Sequence, residues 1–270
     1  MTEIALHGLG EMGADIARCL VGRGVVVHAH DPVAEVDPGS PNFHRWETAG
    51  EAARRASVQL IAVKRPEDVE TLLFGDEGPG ASAPPRSLVV VHTTLPPHTV
   101  RELRRRVGEE HGHTLIDAAL SRRDGQVREG SLSLFLGGEE DEVRAARPVL
   151  ERYSDNVVHA GPPGAGMTVK LCNNWLLYSN RHAALQALRS GRELGVDPEV
   201  LRGALASSTG SSWALTHYSG LDEAILDGRG APKVVRDRTR SELDMAREMT
   251  AAGGGVPTSL RETFALLEAM

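Results

Sequence analysis

The chain has 270 residues, of which 40% are hydrophobic and 25% charged, enough for one or two globular domains with a sizeable core. The net charge of −7 excludes a large basic surface for nucleic acid or an anionic membrane, and no apolar run approaches a membrane span. The two cysteines, Cys19 and Cys172, form neither a zinc pattern nor a disulfide framework, so we expect no bound metal. The start of the chain has no recognisable signal peptide, and we expect a cytoplasmic protein.

The first part of the chain alternates short apolar runs with helical patterns. EIALHGLG predicts a strand that ends at glycine, EMGADIARCLVGRG predicts a helix, and VVVHAH predicts the next strand. The series continues with VQLIAV, SLVVVH, HTLIDAAL and LSLFLGG, and with helices at residues 66–74 and 97–107. Such runs between helices are typical of a mostly parallel sheet covered on both faces. FGDEGPGASAPP is interpreted as a surface loop because it is rich in glycine, proline and serine.

The pattern changes after Gly161, where no further strand is predicted. Helical patterns fill most of residues 166–195, 198–207, 241–252 and 258–268. We therefore predict an α/β domain over residues 1–161 and an all-α second domain over residues 162–270. The second domain has more apolar stripes than its own bulk would bury, so we expect a homo-oligomer.

HGLGEMGADIA contains three glycines with G-x-G-x-x-G spacing between a predicted strand and a predicted helix. Glycine permits a tight turn and lets backbone amides approach a pyrophosphate, while the helix N-terminus adds its positive end. This context predicts a Rossmann-type, dinucleotide-binding sheet. The residues expected to hold the cofactor in this loop are Gly8, Leu9, Gly10, Glu11, Met12 and Gly13.

Asp31 stands at the end of the second predicted strand, 18 residues after Gly13. A carboxylate at this place accepts hydrogen bonds from the adenosine ribose hydroxyls and repels a 2′-phosphate. We therefore predict NAD as the cofactor. NADP stays possible because Arg23 and the nearby histidines carry or can acquire positive charge.

DAALSRRDGQVREGSLSLFLGG predicts a strand that ends at Leu120 and a second strand that starts near Leu132, joined by a polar loop. The Ser121 hydroxyl and the loop amides can donate to an anion, and a loop at the carboxyl edge of a sheet is where open α/β folds bind ligands. A polar connection without a ligand is the alternative interpretation.

GPPGAGMTVKLCNN carries Lys170 into an otherwise uncharged helical segment. Helical spacing places Lys170, Asn174 and Tyr178 on one face, with Asn173 beside them. A buried ammonium without partners is costly, whereas an ammonium in a wet cleft is a positioned acid. Desolvation and the helix N-terminus would lower the lysine pKa towards the range that acid–base catalysis needs, a change worth about 4 kcal/mol. The alternative is a lysine whose head reaches bulk water.

These motifs, in this order and over essentially the whole chain, resemble those of the β-hydroxyacid dehydrogenases. That family includes 3-hydroxyisobutyrate dehydrogenase, tartronate semialdehyde reductase and, more distantly, 6-phosphogluconate dehydrogenase. The segments that carry the resemblance are GLGEMG, FGDEG, HTTLPP, the DAALS segment with EGSL, and GPPGAGMTVKLCNN. The resemblance implies hydride transfer between NAD or NADP and a small anionic 3-hydroxy acid, or the matching semialdehyde or keto acid. It also implies a homodimer or homotetramer.

The resemblance assigns roles to individual residues. It implies Lys170 as the acid–base residue, Asn174 as a substrate ligand, Ser121 and Gly130 in the substrate signature, and Thr94 near the nicotinamide. We expect Asn173 to add to the substrate site and Val63 and Lys64 to add to the cofactor site.

Two departures from the family pattern bear on substrate and turnover. Arg122 and Arg123 replace two glycines whose amides bind the substrate carboxylate in the family. Either the arginine backbones do the same, or a guanidinium binds a second anionic group. Ser241, followed by Glu242, replaces a family lysine, for which Arg238 or Arg240 would compensate.

Two other functions remain as alternatives. One is an imine reductase on the same scaffold, against which Lys170 argues because those enzymes usually lack the lysine. The other is a non-catalytic nucleotide-binding sensor or scaffold, which the loss of the family lysine at Ser241 keeps open.

Overall fold

The computed structural model describes residues 2–122 and 132–270. The chain divides into two compact units, Met1–Lys170 and Leu171–Met270. These compact units are not the same thing as independently folding domains. The predicted boundary between two such domains, after Gly161, therefore stays a prediction. Within the described residues, no helix combines the length and the apolar composition that crossing a bilayer requires.

The first unit is built on a single sheet. Its strands are β1 Glu3–His7, β2 Val26–His30, β3 Phe43–Arg45, β4 Val58–Ile61, β5 Leu88–Val91, β6 Thr114–Arg122, β7 Leu132–Gly137 and β8 Asn156–Gly161. Their order is β3-β2-β1-β4-β5-β6-β7-β8. Neighbouring strands are parallel except for β6 and β7, which are antiparallel. Because the chain grows outward on both sides of β1 and β4, the direction of winding switches between these two strands.

Helices cover both faces of this sheet. They are α1 Glu11–Gly22, α2 Ala49–Ala53, α3 Pro66–Phe74, α4 Pro79–Ser82, α5 Pro97–His111 and α6 Glu140–Leu150. Alternate residues of β5 belong to different hydrophobic clusters: Val90 packs in one, and Val89 and Val91 pack in the other. This alternation follows from the two-residue repeat of a strand and shows that each face has its own core.

The second unit is helical. A long helix, α7 Ala165–Glu193, begins in the first unit and continues into the second. The other helices are α8 Pro198–Ala206, α9 Trp213–Thr216, α10 Gly220–Leu226, α11 Lys233–Ala252, α12 Thr258–Thr263 and α13 Ala265–Ala269. Leu171, Tyr178 and Leu185 of α7 pack in one cluster with Leu243 of α11 and Leu260 of α12. Their spacing on α7 is two helical turns, which keeps all three on one face.

The predicted fold class, a mostly parallel sheet followed by a helical region, is confirmed. Several elements escaped sequence reasoning: β3, β8, α2, α6, α9 and α10. The interpretation of residues 74–85 as a surface loop was wrong in part, because it contains α4, and Gly78, Pro79 and Gly80 are buried. Strand β6 does not end at Leu120 but continues to Arg122, since Ser121 and Arg122 pair with Ser133 and Leu132 of β7.

Candidate active site

The parallel strands of the first unit bring the predicted cofactor residues to one edge of the sheet. Gly8 directly follows β1, Val63 follows β4, and Thr94 follows β5, while Ser121 lies near the end of β6. Since β1, β4, β5 and β6 run in the same direction, these positions share the carboxyl edge. Open α/β sheets bind their ligands at this edge, beside the point where the winding switches.

The three glycines of the loop serve different purposes. Gly8 has a φ of 97°, and a Cβ there would lie 2.6 Å from the Ala62 carbonyl oxygen. A Cβ on Gly13 would overlap the carbonyl oxygen of Gly8. A Cβ on Gly10, the N-cap of α1, would meet no protein atom within 4 Å. Packing therefore explains Gly8 and Gly13, whereas Gly10 leaves open space at a helix N-terminus, which fits the approach of a pyrophosphate.

Asp31 is held by the backbone around it. Its Oδ2 accepts from the Leu9 amide at 2.7 Å, and its Oδ1 accepts from the amides of Val33 at 2.8 Å and Ala34 at 2.7 Å. Burial alone would raise the pKa of Asp31, but these amides outweigh it and hold the pKa below its usual value. A carboxylate offers about four acceptor positions, so Oδ2 keeps one for a ribose hydroxyl.

The remaining cofactor-side residues differ in exposure. The Leu9 side chain is buried in the core of the sheet, so this residue acts through its backbone. Glu11 and Lys64 are exposed, and Met12, Val63 and Thr94 are half-buried. The Val63 carbonyl accepts from the Thr93 hydroxyl at 2.8 Å, which ties the segment after β4 to the segment after β5. Arg23 donates to the carbonyls of Glu151 and Arg152, so its guanidinium is already engaged.

The predicted anion site is described only at its start. Ser121 is half-buried and pairs with Ser133 across the sheet. Arg122 continues the strand backbone. Arg123, Gly130 and the rest of the loop lie outside the described residues, so the anion site stays a prediction.

The beginning of α7 is fixed by an acid that sequence reasoning did not single out. Asp117, in the middle of β6, accepts from the Gly164 amide through Oδ1 and from the Met167 amide through Oδ2, both at 2.8 Å. Burial raises the pKa of Asp117 to about 6, which these amides only partly offset. An acidic residue inside the apolar run HTLIDAAL is the sequence signal that would have identified it.

The three polar residues predicted to share one helical face all lie on α7, but their surroundings differ. Lys170 is half-buried, and Asn174 is buried and accepts from the Asn173 side chain at 3.3 Å. The Tyr178 hydroxyl donates to the Glu242 carboxylate, and burial together with this carboxylate raises the pKa of Tyr178 well above its usual value. Tyr178 is thus committed to a partner within the second unit.

The segment in which the family lysine was expected belongs to α11. Ser241 is exposed there, as are Arg238 and Arg240, the two residues predicted to compensate. Among residues 2–122 and 132–270, no three His, Cys, Asp or Glu side chains are grouped in a way that would hold a metal ion.

The sheet, the glycine loop and Asp31 together define a dinucleotide-binding protein of the Rossmann class. Residues 3–161 match the family described as the NAD binding domain of 6-phosphogluconate dehydrogenase. Residues 164–266 match the family described as NAD-binding of NADP-dependent 3-hydroxyisobutyrate dehydrogenase. The chain belongs to the β-hydroxyacid dehydrogenase family, and it is an NAD(P)-dependent oxidoreductase.

Individual relatives agree with this membership. The chain is 35% identical to 3-hydroxyisobutyrate dehydrogenase of Pseudomonas aeruginosa over 81% of this chain and 74% of that protein. It is 31% identical to the NAD-dependent L-serine dehydrogenase of the same organism, with the same coverage of both chains.

Solved structures share the fold. The 3-hydroxyisobutyrate dehydrogenase of Mycobacterium tuberculosis, with L-serine, superposes with a TM-score of 0.84 at 27% identity, covering 99% of this chain and 93% of that chain. An imine reductase of Myxococcus stipitatus in complex with NAD+ superposes with a TM-score of 0.71 at 17% identity, with the same coverage. The second likeness, at that identity, concerns the fold alone.

Proposed function

We propose that the protein oxidises a small 3-hydroxy acid, or reduces the matching semialdehyde or keto acid, with Lys170 as the acid–base residue. The observation that carries the proposal is the junction of β6 with α7. Asp117 of β6 binds the first turn of α7, Ser121 stands four residues further along the same strand, and Lys170 lies one turn beyond Met167. The proposed anion donor and the proposed acid–base residue are therefore on two elements that are joined directly.

The proposed chemistry divides simply among the residues. NAD, held by the glycine loop and Asp31, would supply the acceptor for the hydride that leaves the carbinol carbon. In oxidation, neutral Lys170 removes the hydroxyl proton, and in reduction its ammonium returns a proton to the same oxygen. Asn174, with Asn173 beside it, donates to that oxygen, and Ser121 with neighbouring amides holds the carboxylate.

The cofactor proposal rests on Asp31. Its carboxylate is ionised, keeps an acceptor position for a ribose hydroxyl, and would repel a 2′-phosphate. NAD is therefore the proposed cofactor. A lower Michaelis constant for NADP than for NAD would contradict this assignment.

The identity of the substrate depends on relatives and on the two arginines. 3-Hydroxyisobutyrate and L-serine are the first candidates, because they stand in the names of the two dehydrogenases described above. Arg122 and Arg123 would favour a substrate with a second anionic group. Exchange of either arginine for glycine should then raise the Michaelis constant for a doubly acidic substrate and leave that for L-serine unchanged.

The test of the acid–base assignment uses the scarcity of lysine in this chain, which has Lys64, Lys170 and Lys233. Lys170→Met should lower kcat for NAD reduction by about 10³-fold, within the range that one acid–base residue contributes. Lys233→Met is the matched control, since Lys233 is exposed and forms an ion pair with Asp237. Unchanged turnover in Lys170→Met would refute the assignment.

Two alternatives have distinct outcomes in the same assay. A non-catalytic sensor would bind NAD, as measured by calorimetry, without turnover of any hydroxy acid. It is kept open by Ser241, which provides no cation where the family has lysine. An imine reductase would reduce cyclic imines faster than it reduces keto acids or semialdehydes.

The second unit supports a proposal of homo-oligomerisation. Among the described residues, its exposed large hydrophobic side chains are Leu176, Leu194, Val196, Val200, Trp213 and Val234. Apolar side chains that form one contiguous patch are typical of an interface between subunits, and we propose that some of these contribute to one. A dimer or tetramer by light scattering is the expected result, and a monomer at micromolar concentration would contradict it.

A further inference from the structure

Asp117 occupies a place that only a carboxylate fills well. Its two oxygens each accept one amide from the first turns of α7, and the residue is fully buried in the middle of β6. The cavity around it is made by two glycines. A Cβ on Gly137 would overlap Oδ1, and a Cβ on Gly166 would lie 2.8 Å from Oδ2.

We propose that Asp117 is a positioning residue for Lys170: it fixes where α7 begins and places a negative charge one helical turn from the lysine. The inference rests on the proposed function, because it assumes that Lys170 transfers the proton. Asp117 itself touches neither the reacting atoms nor the cofactor in this scheme.

Asp117 positions the start of α7 through its hydrogen-bonding capacity. The first amides of a helix have no partner within the helix, and Asp117 supplies acceptors for two of them. An asparagine keeps one acceptor oxygen but turns an NH2 group towards the other amide. Serine, a common N-cap residue, keeps one acceptor of smaller size. Either change would loosen the turn that precedes Lys170.

Asp117 also acts on Lys170 through its charge. The positive end of a helix disfavours an ammonium in its first turns, and an ionised Asp117 offsets this effect. With a pKa of about 6, Asp117 is ionised at neutral and alkaline pH. A neutral residue at this position therefore makes the ammonium of Lys170 easier to deprotonate.

The described elements packed against this junction carry other titratable groups. Arg101 of α5 approaches Gly164, where its Nη1 would be 3.2 Å from an added Cβ. Arg104 of α5 is paired with Glu142 of α6. His92, directly after β5, is neutral because burial lowers its pKa to about 4. Asp117 is the carboxylate whose oxygens accept amides at the start of α7.

The test compares pH profiles of kcat/KM for oxidation in the full-length wild type, Asp117→Asn and Asp117→Ser. The profile rises with pH as the amine loses its proton. We expect this rising limb to move to lower pH by about one pH unit in both variants, as expected for loss of one charge about one helical turn away. We also expect kcat to fall by about 10- to 100-fold, with the Kd for NAD unchanged.

Asp197→Asn is the matched control. Asp197 caps α8 by accepting from the amides of Glu199 and Val200, so the same substitution there removes a carboxylate charge from a helix start without a catalytic lysine nearby. Its rising limb should coincide with that of the wild type.

The outcomes separate this inference from the function on which it rests. If Lys170→Met is inactive but the limb is unmoved in Asp117→Asn and Asp117→Ser, Asp117 has only a structural role and the inference is overturned. If Lys170→Met retains turnover, the acid–base assignment itself is wrong. Serine serves as the second variant, because its smaller size avoids a clash in the glycine-lined cavity if asparagine prevents folding.

Discussion

The two units satisfy their buried polar side chains with different partners. In the first unit, the main chain supplies many of them: Asp117 binds two amides, and His92 Nδ1 lies 2.7 Å from the Ala118 carbonyl oxygen. In the second unit, the prominent pairs join side chain to side chain: Arg181 with Asp222, and Tyr178 with Glu242. The reason is geometric, since helix starts and loops leave backbone groups free, whereas helix interiors use nearly all of theirs.

This difference has a consequence for charge. Burial lowers the pKa of His7 and of His92 to about 4, so the sheet unit holds both rings neutral at physiological pH. The helical unit instead buries a charged pair, with the Asp222 side chain 2% exposed and the Arg181 side chain 15% exposed. We therefore expect pH to act mainly on the first unit and loss of an ionic partner to act mainly on the second.

The largest expected effect is acid destabilisation of the first unit. As the pH falls from 6.5 to 4, His7 and His92 become protonated in the unfolded chain but stay neutral in the folded protein. Each histidine therefore lowers the free energy of unfolding by about 3 kcal/mol. Asp117 acts in the opposite sense, because its raised pKa lets the folded state take up a proton first. We expect a net loss of about 4 kcal/mol between pH 7 and pH 4.

Tryptophan fluorescence can measure this loss in one unit at a time. Trp46 is in the first unit and Trp175 and Trp213 are in the second, so a Trp175→Phe/Trp213→Phe variant reports urea unfolding of the first unit alone. An unfolding free energy that stays constant from pH 7 to pH 4 would contradict the interpretation of the buried histidines as neutral.

A smaller effect is expected from loss of a buried ionic partner in the second unit. Arg181→Met leaves Asp222 buried without its guanidinium and should cost about 3 kcal/mol in urea unfolding. Arg192→Met is the control: Arg192 and Asp227 form an exposed pair, which should be worth less than about 1 kcal/mol. Equal losses in the two variants would show that burial does not distinguish these pairs.

The same contrast explains how far the sequence could predict the structure. Strands β1, β2, β4 and β5 and helices α1 and α3 have strong periodicity or clear ends, and they were predictable. Helix α11 begins at Lys233 and not at residue 241, where sequence reasoning placed its start. The first two turns were missed because they are mostly polar and carry no apolar stripe. The short elements β3 and α4 depend on tertiary packing and lack a signal of their own.

The candidate site shows the same limit. The glycine loop, Asp31 and Lys170 could be selected as candidates because spacing and context mark them. The apolar run around Asp117 marks it as a buried acid, but its two amide partners lie 47 and 50 residues away, so no local pattern shows what it binds. Nor does spacing distinguish Tyr178, which is bonded to Glu242, from its neighbours on the same stripe.

The loop glycines offer a third test, with an expected effect of about 2 kcal/mol. Gly13→Ala would push a Cβ into the Gly8 carbonyl oxygen and should destabilise the first unit by that amount. Gly22→Ala, in the same helix with no atom within 4 Å, is the control and should be neutral or slightly stabilising.

Gly10→Ala should keep wild-type stability but weaken NAD binding at least about 10-fold, or about 1.4 kcal/mol. Wild-type NAD affinity in Gly10→Ala would place the pyrophosphate elsewhere.

The smallest expected effect concerns side chains that cap helix starts. It tests whether such a side chain gains the same stability from main-chain partners in both units, so that the units differ only in the backbone groups they leave free. Helix starts expose free amides in both units: Thr48 accepts from the Glu51 amide at 3.2 Å in the first, and Asp197 accepts from two amides in the second. Thr48→Ala and Asp197→Ala should each cost about 1 kcal/mol in urea unfolding. If the two variants lose the same unfolding free energy, the units differ in the partners of their polar side chains only because they leave different numbers of backbone groups free. A much smaller cost for Asp197→Ala would instead mean that the helical unit gains little from main-chain partners even where they exist.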